Sequence, residues 1–438
     1  MQQISFIFSS KFKHACSILL LIIMIFFGIT FLQKATMRDS SGFKYRPFLQ
    51  EYTEYDVLFF GTSHVINGIF PMQLWNDYGI TSYNFGGHAN SLAMAYWTMI
   101  NAVEYHKPKV AVLDVLGAGS ASTRMDIGYA HLSMDAFPLT ETKIAAIRDI
   151  YPDDKEQQTE LIFPLSIYHN RWNEMNSSML KAGAGIYSSS SKEKGAESRI
   201  QVGIPNDMEL ISETDMINQQ TVGLDYIQKF ITFCNENDII PVIINIPYPA
   251  DIESQQAANA AIKLAKTNHV GAINFQYLDL VDFNIDCYDP DSHLNPSGAR
   301  KVTDYLGKYL TSHYDLTDHR DDATYADWKD DYDDYYDYLV YNIKSHDDFK
   351  ETLMLLNNEN FKGVLEATSD YRPDDVEKKL SAQLGSNLKL RRVSSVTTSG
   401  GQQGTVKLTV LNAQTEEEII SKVYRESDTF SLLKDDAK

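Results

Sequence analysis

A chain of 438 residues, 43% of them hydrophobic and 12% aromatic, carries enough apolar material for a full core and for more than one domain. Its formal charge of -20 at pH 7 would repel nucleic-acid phosphates, so a duplex-binding function is set aside. The three cysteines form no metal-binding cluster: Cys16 lies in an apolar run, and Cys234 and Cys287 are able to pair in an oxidising compartment or to stay reduced in a reducing one.

After a short N-terminal tail (residues 1–14), Ala15 to Leu32 reads ACSILLLIIMIFFGITFL, an uncharged run close to the length that crosses a hydrocarbon core. A cleaved signal peptide is the competing reading. The following QKATMRDS offers no small-x-small cleavage site and the run is long for a signal, so an uncleaved anchor is expected. Lys11 and Lys13 before the span are opposed by Lys34, Arg38, Lys44 and Arg46 after it, and charge counting does not choose a side of the membrane.

Asp56 to Phe60 (DVLFF) is an apolar run followed at once by Gly61-Thr62-Ser63-His64, the pattern of a buried strand ending in a tight turn. Further strands are expected at Ser82 to Phe85, Val110 to Leu113 and Ile239 to Ile246, with helices at Ser91 to His106, Gly223 to Asn237 and Ser297 to Ser312. This alternation predicts an α/β domain over about residues 50–315 with a mainly parallel sheet, whose active site belongs at the strands' carboxyl ends. The alternation breaks over about residues 118–220. That long insertion holds the aromatic segment Phe163 to Trp172 and a Ser-rich stretch from Tyr187 to Ser191.

Residues 316–338 include DDATYADWKDDYDDYYDY and are read as a boundary between domains. No glycine turn or EF-hand spacing accompanies its carboxylates, so a solvated helix face with tyrosines packed beneath is expected in preference to a calcium site. Beyond it, residues 339–438 are expected to form a smaller α+β domain. There Leu339 to Ile343, Asp347 to Asn357 and Gly363 to Ala367 read as strand, helix and strand, and a further strand at Val406 to Leu411 follows a Gly-rich turn at Gly400 to Gly404.

A serine hydroxyl needs a base to take its proton and a third group to orient that base. Ser63 stands just past the first strand, where its side chain would be exposed; taken alone it is an ordinary helix-capping serine. The turn-rich segment Asp289-Pro-Asp-Ser-His293-Leu-Asn-Pro-Ser-Gly298 changes that reading, because it supplies an acid and a base together at the end of the same domain. Ser63 is therefore the expected nucleophile, His293 the base and Asp291, two residues from it, the acid. No metal and no cofactor is expected.

In this order the chain resembles the SGNH (GDSL-like) hydrolase superfamily, over roughly Tyr55 to Ser312. Gly61-Thr62-Ser63-His64 stands where that family has its Gly-Asp-Ser block, Asn84-Phe85-Gly86-Gly87 where it has its glycine block, and Asp291-Ser292-His293 where it has its acid and base. The family's usual Asp-x-x-His spacing is blocked by Pro290, and Asp-x-His is the pair left; that spacing resembles alginate-type polysaccharide O-acetyltransferases. Leu113-Asp114-Val115-Leu116-Gly117 replaces the family's Gly-x-Asn-Asp block.

The resemblance implies a flavodoxin-like three-layer fold and an oxyanion hole made by the amides of Ser63 and of Gly86 or Gly87. His64, His88 and Asn90 are candidate substrate contacts beside these motifs. His169 and Arg171, in Tyr168-His169-Asn170-Arg171-Trp172, are candidates for holding a sugar or an anionic polymer. One anchor plus such a domain resembles bacterial surface-polysaccharide O-acetyltransferases and the D-alanyl-lipoteichoic acid biosynthesis protein. It implies a cell-envelope glycan or acyl ester as substrate, a membrane-bound O-acyltransferase as partner, and a place outside the cytoplasm. The competing expectation is a non-catalytic, glycan-binding or scaffolding partner of such an acyltransferase.

Overall fold

The computed structural model describes residues 10–51, 53–186, 192–203, 207–290, 293–368, 372–384, 393–399 and 404–426. Tyr187 to Ser191, Asp291, Ser292 and most of the Gly400 to Gly404 turn lie outside these residues. The N-terminal apolar run is a helix over Ser10–Thr36, of which Phe12–Thr36 is long enough and, with a mean hydropathy of 2.8 over its most apolar 18 residues, apolar enough to cross a membrane.

Five strands form one sheet: β1 (Val57–Gly61), β2 (Ser82–Gly86), β3 (Val110–Asp114), β4 (Ile240–Asn245) and β5 (Gly271–Asn274). All pairings are parallel and the order is β2-β1-β3-β4-β5, the flavodoxin-like winding in which the order reverses between β1 and β3. The strands are apolar on both faces because helices cover both. Leu58, Phe60, Ala111, Leu113 and Ile243 join one core cluster, while Val57, Phe59, Val110, Val112, Val242 and Ile244 join the other. Helices Leu92–Val103 and Val222–Glu236 cover the first face, and Ser63–Gly68, Pro71–Tyr78 and Pro296–His313 the second. The expected mainly parallel α/β domain is therefore present, with the helix Ile252–Thr267 and β5 completing it.

The interruption after β3 is a run of short helices from Ile127–Met134 to Ser177–Gly183. Cys234 and Cys287 are buried free thiols in different core clusters, Cys234 among the helices of one face and Cys287 on the other.

The acidic stretch is a helix, Ala326–Ser345, and it continues through the residues read as a strand at Leu339 to Ile343. Trp328, Tyr335, Leu339, Asn342 and Ile343 are its buried side chains, spaced seven, four, three and one apart, which is a helical stripe; a five-residue apolar window is too short to reveal that period. Asp330, Asp333, Asp334 and Asp337 face outward, as expected of a solvated face. Trp328 is fully buried against Tyr55 and Trp75, so the helix is packed on the α/β domain and is no loose connector. Beyond it, β6 (Phe361–Thr368), β7 (Val393–Ser399), β8 (Thr405–Asn412) and β9 (Glu418–Arg425) form a second sheet in the order β7-β6-β8-β9, with helices Phe349–Leu355 and Pro373–Leu384 beside it.

Candidate active site

β1 ends at Gly61, and the chain turns through Thr62, whose side chain accepts from the His64 N–H, into the helix that opens with Ser63. This places Ser63 at the carboxyl edge of the sheet beside the point where strand order reverses, the region where open α/β sheets gather ligands. Opposite it, the loop between Cys287 and Leu294 is closed by a β-bridge and by Tyr288 N donating to His293 O at 3.0 Å. Asn295, fully buried, fixes the loop's far end. Its amide donates to the carbonyls of Ile285 and Gln201, and its oxygen caps the N–H groups of Ser297 and Gly298 at the start of the Pro296–His313 helix.

That loop carries His293 to Ser63, the candidate nucleophile. Ser63 Oγ donates to His293 Nε2 at 2.8 Å, and His293 Nδ1 donates to Asp289 Oδ2 at 2.8 Å. The second oxygen of Asp289 accepts the backbone N–H of His293 at 3.0 Å, so one carboxylate holds both the ring and the main chain of His293. Donation from Nδ1 leaves Nε2 with the lone pair that the Ser63 proton needs. The carboxylate that meets His293 Nδ1 is thus that of Asp289; Asp291, the acid expected from the sequence, lies outside the described residues. A side chain four residues back reaches Nδ1 because the bridge folds the loop upon itself.

The His293 ring is held on two sides. Tyr288 stacks on it with centroids 5.4 Å apart, and its hydroxyl donates to Asn67 Oδ1 at 3.3 Å. His64 lies 4.7 Å from it on a tilt, with Tyr248 edge-on to His64 at 4.8 Å. Burial, and then the neighbouring His293, push the His64 imidazole down to about 3, so it stays neutral at working pH. His64 is thus buried against the base; Tyr288, Asn67 and Tyr248 are further members of the site that motif reading passes over, since none belongs to a recognisable motif.

The glycine block is placed differently from expectation. Gly86 N donates to Asn84 Oδ1 at 3.0 Å and Gly87 N to Gly61 O at 3.0 Å, so both amides are spent inside the protein and are not aimed at a substrate oxygen. Among the described residues no acceptor takes the Ser63 N–H, which remains the backbone donor of the predicted set. Asn84 is fully buried and also donates to the carbonyls of Val65 and Ile69, fastening the Ser63 helix to β2.

Asn90 is buried as well: it donates to Gly61 O and accepts from Ser133 Oγ, a tie between the glycine turn and the insertion. His88 lies 3.6 Å from Glu197. Lys44, from the helix just after the N-terminal apolar one, donates its ammonium to Gly86 O, and burial lowers that amine to about 7. His169 and Arg171 are engaged elsewhere. His169 Nδ1 contacts Ser166 O, while Arg171 pairs with Glu174 and donates to Thr36 O at 2.7 Å, the C-terminal end of the N-terminal apolar helix.

Asp114 ends β3 beneath this turn. It is 1% exposed and accepts from the backbone N–H groups of Ile246 and Leu116. Burial pushes its carboxyl from 3.8 up to about 7 despite those donors. A folded-state value raised in this way means that the folded protein binds the proton more tightly, and stability is lost as pH rises from about 4 through about 7. Asp114→Asn, measured by denaturant unfolding, is expected to gain stability relative to the parent by roughly 2 kcal/mol between pH 5 and pH 8. A difference independent of pH would show that Asp114 ionises normally.

In comparisons with known proteins, no family model matches the chain and no curated protein matches it.

Proposed function

We propose that this chain is a membrane-anchored enzyme of the SGNH (GDSL-like) type that transfers or hydrolyses an acyl ester on a cell-envelope glycan through an acyl-serine at Ser63. The observation that carries the proposal is the continuous chain Ser63 Oγ to His293 Nε2 and His293 Nδ1 to Asp289, each link 2.8 Å. Nothing about a helix-capping serine or a loop histidine requires that alignment across 230 residues of sequence.

In the proposed reaction, His293 Nε2 takes the Ser63 proton while Oγ attacks the acyl carbonyl. The carbonyl oxygen becomes an oxyanion held by the Ser63 N–H. As the bond to the leaving oxygen breaks, His293 returns the proton to it, which leaves the acyl-serine. A sugar hydroxyl or water then gives its proton to His293 and attacks the same carbon; as the acyl–Oγ bond breaks, His293 returns the proton to Ser63 Oγ, which restores the starting state. General-base assistance of this kind is worth about 10²- to 10⁴-fold in rate.

An open depression of about 740 Å³ lies beside the triad. Tyr248 and Pro290 line it together with Asp207, Glu209, Asp251 and Glu253. Four carboxylates at its wall, on a chain of charge -20, favour a neutral or cationic acceptor sugar over an anionic one. The anchor keeps the domain at the membrane surface, outside the cytoplasm in this reading, within reach of a multi-spanning O-acyltransferase that delivers the acyl group.

The test is covalent labelling. The full-length protein in detergent, treated with a fluorophosphonate, is expected to gain one adduct that peptide mass spectrometry maps to Ser63, and a His293→Ala variant is expected to react far more slowly. A folded protein that takes no label at Ser63 would overturn the enzymatic reading and leave a glycan-binding or scaffolding role.

A further inference from the structure

Outside the anchor, large apolar side chains that stand in solvent are concentrated in one stretch of the insertion. Phe163 is 59% exposed, Trp172 69% and Ile186 61%, and Ile167 and Leu180 accompany them. Five large apolar side chains exposed within one 24-residue stretch call for something that covers them. What covers this face follows from where it sits.

The same stretch is built onto the end of the anchor. A side chain at Gly183 would lie 2.7 Å from the Phe31 ring and 3.0 Å from Ala35 Cβ, so the Ser177–Gly183 helix rests directly on the last turns of the span. Arg171 caps the carbonyl of Thr36, and Arg46 that of Lys34, as cations do at a helix C-terminus. Phe31 to Thr36 covers about 7.5 Å of helix axis at 1.5 Å per residue. That depth matches a head-group zone, since a bilayer of about 40–45 Å has a hydrocarbon core of about 30 Å.

We infer that residues 163–186 are seated in the phospholipid interface around the point where the anchor leaves the bilayer, with Trp172 as the interfacial side chain, an inference that rests on the helix Ser10–Thr36 crossing the membrane. The chemistry suits the place. Trp favours the head-group level, where its ring is half apolar and its N–H can find a partner. Leu180 and Ile186 supply the apolar face, and the exposed Lys34 and Lys181 lie beside them for lipid phosphates. The insertion thereby sets the posture of the α/β domain on the membrane, because its helices carry the anchor on one side and tie through Ser133 to Asn90 and the Ser63 turn on the other.

The experiment uses the full-length protein reconstituted into phosphatidylcholine–phosphatidylglycerol vesicles, with and without acyl chains brominated near the head group. Of the four tryptophans, Trp75 and Trp328 are buried and Trp97 is hydrogen-bonded to Asp149, so subtracting the emission of a Trp172→Phe variant isolates Trp172. The Trp172 component is expected to be blue-shifted and to lose about half or more of its intensity in the brominated vesicles.

Two results would overturn the inference. If the protein floats with the vesicles after alkaline carbonate washing but Trp172 is unquenched, the anchor crosses the bilayer while the face stands clear of lipid and is left for a protein partner. If the protein does not float, the anchor reading fails and the lipid seat fails with it. Fluorophosphonate labelling of Ser63 is unaffected in either case, so the enzymatic reading stands or falls separately.

Discussion

An Asp289→Asn variant is expected to cleave an activated acetyl ester about 10⁴-fold more slowly than the parent in kcat/KM, with its fold intact. The carboxylate accepts from His293 Nδ1 and from the His293 backbone N–H, and so sets both the tautomer and the position of the ring. An amide in its place can turn its own N–H toward Nδ1. The imidazole proton then moves to Nε2, and the lone pair that receives the Ser63 proton is lost. Asp291→Asn is the paired measurement and is expected to keep nearly all of the activity, because Asp289 already fills the contact. p-Nitrophenyl acetate hydrolysis by both variants, with thermal melts to confirm folding, decides between the two acids. A large loss at Asp291 with none at Asp289 would sink the assignment drawn from the loop geometry.

The choice of acid shows where sequence reading stops. Strands β1, β3 and β4 are legible because each is an apolar run of strand length bounded by turn residues, β2 (SYNFG) because polar and apolar residues alternate in it, and the pairing of Ser63 with His293 follows from their order along an alternating α/β chain. Which of two aspartates in a six-residue loop meets the imidazole depends on a β-bridge between Cys287 and Leu294, a contact that spacing does not encode.

The glycine block fails for a related reason. Gly86 and Gly87 stand in the expected place in the chain, yet a backbone amide can be spent on a neighbour, and Asn84 and Gly61 take these two. Arg171 illustrates the third limit. A cation among aromatics reads as a ligand contact, but its partner is the end of the N-terminal apolar helix, 135 residues earlier. Tertiary partners of this kind leave no local signal.

Gly61→Ala is expected to be strongly destabilising and to disturb the site directly above it. Gly61 has φ of +152°, where an L side chain is strained. A Cβ there would also lie 2.6 Å from Val65 Cγ2 and 3.0 Å from Asp114 Cβ, both fully packed. Strain of about 1–3 kcal/mol and overpacking of about 1–3 kcal/mol act together, against a total domain stability of about 5–15 kcal/mol. A fall in Tm of roughly 10 °C is expected.

Activity should fall further than folding does. Gly61 O accepts from Gly87 N and Asn90, and Ser63 is two residues on, so any backbone shift that relieves the clash moves the nucleophile relative to His293. A displacement of about 1 Å costs on the order of 10²-fold in rate. Gly117→Ala separates the two causes. Gly117 also has a left-handed φ, of +93°, but a Cβ there meets nothing within 4 Å, so only the strain remains. Its expected cost is about 1 kcal/mol, with fluorophosphonate labelling of Ser63 unchanged in rate. Equal effects of the two substitutions on labelling would show that the packing of Val65 and Asp114 beneath Gly61 does not hold the nucleophile in place.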